Sequence, residues 1–189
     1  MKSKLQSLVV LTLFIFFGST SFAQSVLMPN LKEISNSGTE FLIVIPASAE
    51  KGRPELVIGE NFKPLEGAFD PNNPDYPSWK FDEQIINMGD KNVTFYAISC
   101  NGKYLFQVGE YESMNMVDSK EYKKIYEKDE NGKDKVYFND FMRFMYHLVP
   151  AEDGTVQLYH YNAFSKKTQL LNIKGAYHGT PVKLVLWKK

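Results

Sequence analysis

Two aromatic residues beside a proline-rich loop are the first candidates for ligand contact. Tyr76 and Trp79 flank Pro77 at the end of the segment 69–78, whose Pro and Asn residues forbid a central strand. A ring on a stiff loop loses little entropy on binding and can stack on the apolar face of a sugar or on a peptide side chain. We expect Tyr76 to be the exposed ring. For Trp79 we favour the alternative, a core residue that opens the next strand.

The titratable side chains show no spacing that specifies catalysis. His147, His160 and His178 are 13 and 18 residues apart, unlike a helical metal motif. His147 and His160 lie on facing strands of one hairpin, so these two could still converge. Asp82 and Glu83 are neighbours in a predicted strand and must point to opposite faces, which excludes them as a glycosidase pair. We therefore predict no catalytic residue, no metal and no cofactor, although a hydrolase without a recognisable motif remains an alternative.

The N-terminus has the three parts of a cleavable signal peptide over residues 1–23. Lys2 and Lys4 precede an apolar run at 8–17, and the small residues of 18–23 end in a cleavage-like Ala23. Ten residues are too few to span a bilayer, which takes roughly 20. The sequence therefore predicts a secreted or periplasmic protein, with no membrane insertion after cleavage. Residues 24–38 read as a polar leader with a short helical turn near 31–34.

Composition limits the classes of partner and of stabilisation. Removal of residues 1–23 leaves 166 residues with 20 basic and 22 acidic side chains. Near-neutral charge argues against binding of nucleic acid or of an anionic membrane, because both need a basic face. Cys100 is the single cysteine, so the domain must be stabilised by core packing and not by an internal disulfide. We interpret Cys100 as a passive thiol in a turn, and exported proteins without bridges favour a bacterial source.

Aromatic and β-branched residues, together with scarce helical periodicity, predict an all-β protein. Three hairpins start about 50 residues apart, and each is followed by a polar stretch and a closing strand. In the second hairpin, Asn101-Gly102 is a strong turn signal because a type I′ turn needs positive φ at both central residues. The predicted hairpins are 41–46 with 55–58, 93–98 with 103–108, and 144–149 with 155–161, and their closing strands are 79–88, 136–141 and 181–187.

The last of these repeats resembles one repeat of a β-trefoil. The segments 146–159, 169–173 and 178–187 are similar to the pattern of the ricin-B-type lectins and of fascin: strand, glycine turn, strand, and a final G-x-P-V-x-L. The similarity is looser in the middle repeat and weak in the first. The Q-x-W of the ricin pattern is absent, and Val185-Leu186-Trp187 stands in its place, so the resemblance supports the fold more than sugar binding.

The resemblance implies one β-trefoil-like domain over residues 39–189 with about twelve strands. A β-sandwich and a lipocalin-like barrel are the alternatives, and a lipocalin-like barrel would show no 50-residue repeat. In sugar-binding trefoils an Asp in the first turn and an aromatic residue on the next strand line the pocket. The matching positions are Asp153 with Tyr159 or Tyr161, and Asn162 as a polar partner. Asp153-Gly154 is equally explained as a simple hairpin turn, the interpretation we favour.

Three hypotheses for function follow from the sequence. The first is a secreted, non-catalytic module that binds carbohydrate through loop aromatics and repeat pockets. The second is a protein-binding or protease-inhibitor-like trefoil acting on an extracellular protein through the insertions 69–78 or 118–135. The segment 118–135 carries 12 charged residues in 18, so we predict either a solvated hairpin arm or a short charged helix with a turn. The third hypothesis is the hydrolase, and the fold alone does not choose among them.

Overall fold

The computed structural model describes residues 34, 38–88, 90–108, 114–124, 141–162, 167–171, 173 and 180–187. Within these ranges the chain forms ten strands and one short helix, so the all-β prediction is confirmed. The elements are β1 (Phe41–Ile45), β2 (Leu56–Val57), β3 (Trp79–Met88), β4 (Lys91–Cys100), β5 (Lys103–Gln107), β6 (Met114–Asp118), α1 (Ser119–Lys124), β7 (Met145–Pro150), β8 (Val156–Asn162), β9 (Lys167–Leu170) and β10 (Lys183–Leu186).

All ten strands belong to one antiparallel sheet that curls into a half-barrel. The main path runs β10–β1–β3–β4–β7–β8–β9, while β2 pairs with β1 and β5 links β4 to β6. Two reciprocal backbone hydrogen bonds of 2.7 and 2.9 Å join Val156 in β8 to Val182, the residue before β10. The hydrogen-bonded path therefore returns on itself at this point.

The three predicted hairpins are present, as β1–β2, β4–β5 and β7–β8. Asn101 and Gly102 have φ angles of 49° and 75°, the positive values that a type I′ turn requires. Ser99 then pairs with Tyr104 and Cys100 with Lys103. Since directly opposed residues share one face of a sheet, this turn places Tyr104 on the same face as Ser99.

The closing strands and insertions are described in part. The closing strand 79–88 coincides with β3, and 181–187 contains β10. Residues 136–140 and 125–135 lie outside the described residues, as do the signal peptide and all of the leader except Ile34 and Gly38. Residues 119–124 form the short charged helix α1, and 69–78 contains no strand. Neither threefold symmetry nor twelve strands is confirmed.

The main core fills the inner face of the half-barrel. Trp79 is fully buried near its centre, with its ring edge-on to Phe62 at 5.6 Å between centroids. Its indole N–H donates a hydrogen bond to the carbonyl of Ile58 at 3.3 Å. Ile34 also belongs to this core, so the packed domain begins before residue 39. Cys100 is buried in the same core.

Two smaller apolar clusters lie on the outer face of the sheet. One forms where the loop 69–76 covers β1, and it contains Leu42, Val44 and Tyr76. The other forms where α1 and residues 141–145 cover β4, and it contains Phe95 and Ala97. Alternate residues of β1 and β4 are therefore buried on both faces, which explains the continuous apolar runs in their sequences. Among the described residues, no helix is long and apolar enough to cross a membrane.

Candidate functional site

The outer face of β3 lies between the two covering layers, and its side chains at positions 80, 82 and 84 are polar, whereas Ile86 packs against the cluster that covers β4. Lys80 is exposed, and Asp82 and Gln84 are partly exposed. The strand pairing extends this surface sideways in one row, because Glu40 lies opposite Lys80 and Lys80 lies opposite Ser99. We call Glu40, Lys80, Asp82 and Ser99 the polar strip. Glu40, Lys80 and Ser99 form a row at right angles to the strands, and Asp82 lies two residues along β3 from Lys80, opposite Ala97.

One end of the polar strip meets a group of three aromatic rings, Phe69, Tyr76 and Trp187, which we call the Trp187 cluster. The centroid of the Tyr76 ring lies 5.9 Å from that of Phe69 and 6.3 Å from that of Trp187. The backbone N–H of Trp187 donates to the carbonyl of Glu40 at 2.8 Å. Trp187 therefore stands directly beside the first carboxylate of the strip.

Tyr76 is the anchor of this cluster. Its side chain is only 7% exposed, and its hydroxyl accepts a hydrogen bond from the backbone N–H of Asp70 at 2.9 Å. Asp70 in turn accepts at its side chain from the N–H of Asn72 at 2.9 Å. The loop 69–76 is thus held by side-chain contacts, and Phe69 and Trp187 remain partly exposed on either side of Tyr76.

The other end of the polar strip meets a second aromatic group, Tyr104, Phe106, Tyr122 and Phe144, which we call the Tyr104 cluster. Tyr104 stacks on Tyr122, with ring centroids 3.9 Å apart and planes 11° from parallel. Phe106 and Phe144 lie 4.7 Å apart beneath them. Tyr104 lies opposite Ser99 in the sheet, so the row that begins at Trp187 ends at an aromatic ring on β5.

The charged groups of the polar strip interact with one another, two carboxylates with one ammonium. The ammonium group of Lys80 lies 3.3 Å from a carboxylate oxygen of Glu40. Burial raises the pKa of Asp82 above its ordinary value, while the charge of Lys80 and a hydrogen bond from the Tyr104 hydroxyl oppose that shift. Burial, with the charge and the hydrogen bond of Asp82, raises the pKa of Tyr104. Lys80 therefore interacts with the carboxylates of Glu40 and Asp82. The hydrogen bond to Asp82 directs the Tyr104 hydroxyl toward β3.

A second row of polar side chains crosses the inner face of the sheet and passes through the main core. Directly opposed residues on β3, β4, β7, β8 and β9 place Glu83, Tyr96, Tyr146, His160 and Gln169 in line. We call these five residues the inner polar row. Its middle members, Tyr96, Tyr146 and His160, are buried, and its ends are partly exposed.

The buried centre of the inner polar row is linked by hydrogen bonds. A side-chain nitrogen of Gln107 lies 2.9 Å from Nε2 of His160. The Tyr146 hydroxyl lies 3.4 Å from the sulfur of Met114, and complete burial raises its pKa well above the ordinary value. Burial lowers the pKa of His160, and a hydrogen bond with Gln169 offsets part of that shift. This row is a polar layer inside the core, and burial there favours the neutral form of His160.

The two described histidines do not converge. Tyr146 pairs with His160, and His147 pairs with Tyr159, so the two imidazoles project from opposite faces of the β7–β8 hairpin. The Nδ1 atom of His147 lies 3.0 Å from the carbonyl oxygen of Thr94. His178 lies outside the described residues. Within the part of the chain that the structure describes, no cluster of His, Cys, Asp and Glu could hold a metal ion.

The structure separates the two aromatic residues predicted beside Pro77. The expectation that Tyr76 is exposed is wrong, because its ring packs between Phe69 and Trp187 and its hydroxyl is bonded within the loop. The interpretation of Trp79 as a core residue is confirmed, because its indole is fully buried and bonded to Ile58. Neither ring offers a free face, whereas the neighbouring rings of Phe69 and Trp187 are partly exposed.

The candidates taken from the last repeat are not brought together as one described pocket. The Asp153 carboxylate accepts from both the N–H and the hydroxyl of Thr155, at 2.9 and 2.7 Å. These bonds lower the pKa of Asp153, as expected for a turn residue. The Tyr159 hydroxyl donates to Gln157 at 2.8 Å. Tyr161 and Asn162 are paired in β8 with Thr168 and Lys167, and their side chains lie outside the described residues.

Two residues of the outer face, Trp187 and Tyr104, were missed from the sequence, although a signal for each was present. Trp187 alternates with Lys183 and Val185 in the closing strand, which places all three on one face. Tyr104 follows the Asn101-Gly102 turn at a register that the turn fixes. The separation of Asp82 from Glu83 is as expected, since Asp82 pairs with Ala97 and Glu83 with Tyr96. What the sequence lacked was the order of the strands.

Comparison with known proteins does not assign this chain to a family. No family model, no curated protein and no solved structure matches it.

Proposed function

We propose that this chain is a secreted, non-catalytic module that binds carbohydrate, and that the Trp187 cluster is the primary contact. The observation that carries the proposal is a partly exposed indole, packed against the buried ring of Tyr76, on the residue paired with Glu40. Sugars present an apolar face of C–H groups and a rim of hydroxyls. An aromatic ring beside hydrogen-bonding groups matches both features.

The support under Trp187 favours binding over mere surface packing. Tyr76 is fixed by its hydrogen bond from Asp70 and by contact with Phe69, so Trp187 packs against a rigid neighbour. A side chain that is ordered before binding loses less entropy when a ligand arrives. The small loss of entropy that the sequence predicted for Tyr76 therefore applies to Trp187, the ring beside it.

The arrangement favours a binding module over an enzyme. Asp82 and Glu83 lie on opposite faces of β3, and Glu40 is occupied by Lys80. Asp153 is bonded into its turn. Retaining or inverting hydrolysis of a glycoside needs two carboxyl groups facing each other across about 5 to 10 Å. In the polar strip, Glu40 forms an ion pair with Lys80, and Asp82 accepts a hydrogen bond from Tyr104. Ionised carboxylates of this kind are strong acceptors for the hydroxyl groups of a sugar.

The proposal keeps the β-trefoil-like domain as the fold and export through residues 1–23 as the route. Support for the trefoil comes from the order of the strands, since β1, β4 and β7 each form a hairpin with the strand that follows. Contact between β8 and the residue before β10 also suits a sheet that closes on itself. Export is supported by the order of segments at the N-terminus, where two lysines are followed by an apolar run and then by small residues.

The substitution Trp187→Ala tests the proposed function. We expect the wild-type protein to bind at least one class of glycan on an array. The variant should lose about tenfold in affinity, because it loses both the apolar area buried by the ring and the roughly 0.5–1.5 kcal/mol that aromatic stacking contributes beyond area burial. Titration calorimetry with the best array ligand provides the measurement. Circular dichroism confirms that the variant is folded.

The matched control is Ile85→Ala, which removes a large apolar side chain that is 66% exposed at the far end of β3. We expect this variant to bind like the wild type. Loss of binding in both variants, or in neither, would count against the Trp187 cluster. The absence of binding to every glycan on the array, together with capture of an extracellular protein, would favour the protein-binding alternative instead.

A further inference from the structure

The Trp187 cluster and the Tyr104 cluster terminate the same row of the sheet. Trp187 is opposite Glu40, Glu40 is opposite Lys80, Lys80 is opposite Ser99, and Ser99 is opposite Tyr104. The row crosses β10, β1, β3, β4 and β5 in four steps. With strands about 4.8 Å apart, the two aromatic ends are roughly 19 Å from each other along the sheet.

The covering layers leave Glu40 and Lys80 of this row open between them, whereas Ser99 is only 7% exposed, so the accessible surface passes from Lys80 to Tyr104 by way of the partly exposed Asp82. The loop 69–76 covers β1 beside Trp187, and α1 with residues 141–145 covers β4 beside Tyr104. Between the two covers, the side chains of Lys80 and Glu40 keep 48% and 31% of their surface exposed. The polar strip is therefore an elongated surface with an aromatic ring at each end and hydrogen-bonding groups along its length.

The charged side chains of the polar strip limit the type of ligand that it can bind. Lys80 is the cation of the strip, and it is already engaged by Glu40 and by the charge of Asp82. The two carboxylates exceed the one ammonium, so the strip would repel an acidic sugar. Carboxylates accept hydrogen bonds strongly from hydroxyl donors. The surface suits a neutral, hydroxyl-rich chain and is poorly matched to an anionic one.

We infer that the polar strip and its two aromatic ends bind a neutral linear oligosaccharide lying across the strands, from Trp187 to Tyr104. This inference rests on the proposed function and extends it from one aromatic contact to a multi-sugar site. Trp187 stacks on the sugar at one end and Tyr104 contacts the sugar at the other. Glu40 and Asp82 accept hydrogen bonds from the hydroxyls between them.

Dependence of affinity on ligand length tests the inference. The probes are three neutral series, cello-, malto- and chito-oligosaccharides, each from disaccharide to hexasaccharide, and an oligogalacturonide series as the acidic counterpart. For at least one neutral series we expect affinity to rise about tenfold or more between the disaccharide and the longer members, because new contacts form along the row. We expect the oligogalacturonides to bind at least tenfold more weakly than that series at equal length.

The variants Tyr104→Ala and Asp82→Asn locate the far end of the site. We expect Tyr104→Ala to reduce the affinity for a hexasaccharide to that for a disaccharide, and to leave the disaccharide unaffected. Because Tyr104 stacks on Tyr122, its removal could unfold the protein. Tyr104→Phe therefore serves as the second variant, since it keeps the ring and removes only the hydroxyl bonded to Asp82. Tyr104→Phe and Asp82→Asn should each weaken hexasaccharide binding by severalfold, and thermal unfolding checks each variant.

The outcomes separate the two proposals. If glycans bind and Trp187→Ala abolishes binding, while affinity does not change with length and no Tyr104 or Asp82 variant alters it, the extended site is wrong and the proposed function stands. Preference for the acidic series would also overturn the extended site. If no neutral or acidic glycan binds at all, both proposals are wrong.

Discussion

Replacement of Trp79 by alanine is expected to reduce the free energy of unfolding by about 3–5 kcal/mol. The indole is fully buried, packs edge-on against Phe62 and donates to the carbonyl of Ile58. Its removal would leave a cavity in the main core and an unpaired carbonyl. Because the whole stability of a domain is about 5–15 kcal/mol, this variant should be close to unfolding at 37 °C.

Urea unfolding followed by circular dichroism measures this effect. Trp79→Phe is the graded comparison, since it keeps most of the volume and loses the hydrogen bond to Ile58, and we expect it to cost less than the alanine variant. The chain has two tryptophans, so fluorescence of the Trp79 variants reports Trp187 alone. A cost below about 1 kcal/mol for Trp79→Ala would contradict a central position in the core.

The second large effect is expected at the inner polar row, where Gln107 contacts His160. Replacing Gln107 with leucine should reduce the free energy of unfolding by about 1–3 kcal/mol, because Nε2 of His160 then stays buried without this partner. Among the described residues, Nδ1 of His160 already lacks a hydrogen-bond partner. The imidazole would thus lose the direct 2.9 Å contact that satisfies one of its nitrogens.

The double variant Gln107→Leu with His160→Phe is the control for this prediction. Replacing both partners with apolar groups of similar shape is often nearly neutral, so the double variant should regain most of the stability lost in Gln107→Leu. Chemical denaturation at pH 7.5 measures the free energy of unfolding of Gln107→Leu, of His160→Phe alone and of the double variant. Additive losses in the two single variants and the double variant would show that the two side chains are not coupled.

The pH dependence of the free energy of unfolding is a second test of the contact between Gln107 and His160. The pKa of His160 in the folded protein is lowered from its ordinary 6.5, chiefly by burial. The unfolded chain therefore binds the proton more readily, and stability is fully present above pH 6.5 and is lost as the pH falls below it. Protonation would also set an N–H of the ring against the side-chain nitrogen of Gln107. We expect the double variant to lose this dependence.

Other described groups act in a different pH range or with the opposite sign. The lowered pKa of Asp153 removes stability only as the pH falls below its ordinary 3.8. The raised pKa of Asp82 favours the folded state as the pH falls, which opposes the trend of His160. A loss of stability between pH 6.5 and 5 that persists in the double variant would have to come from another residue.

The sequence determined the strands and turns because local chemistry fixes them. The Asn101-Gly102 pair allows positive φ at two successive positions, so a hairpin with a known register follows from those two residues. The apolar run at 41–46 predicted a buried strand, the segment 93–98 predicted the first strand of the next hairpin, and the Pro and Asn residues of 69–78 excluded a central strand. Neighbouring residues in a strand alternate in direction, which is why Asp82 and Glu83 could be separated without a structure.

Only the tertiary structure decided which strands lie side by side, and the candidate site depends on that order. Trp187, Lys80 and Tyr104 are far apart in sequence and meet in one row because β10, β1, β3, β4 and β5 are neighbours in the sheet. Burial of Tyr76 likewise depends on Trp187, which arrives from the other end of the chain. Local propensity specifies a strand and its two faces, whereas the partners of each face are set by long-range packing that no short segment contains.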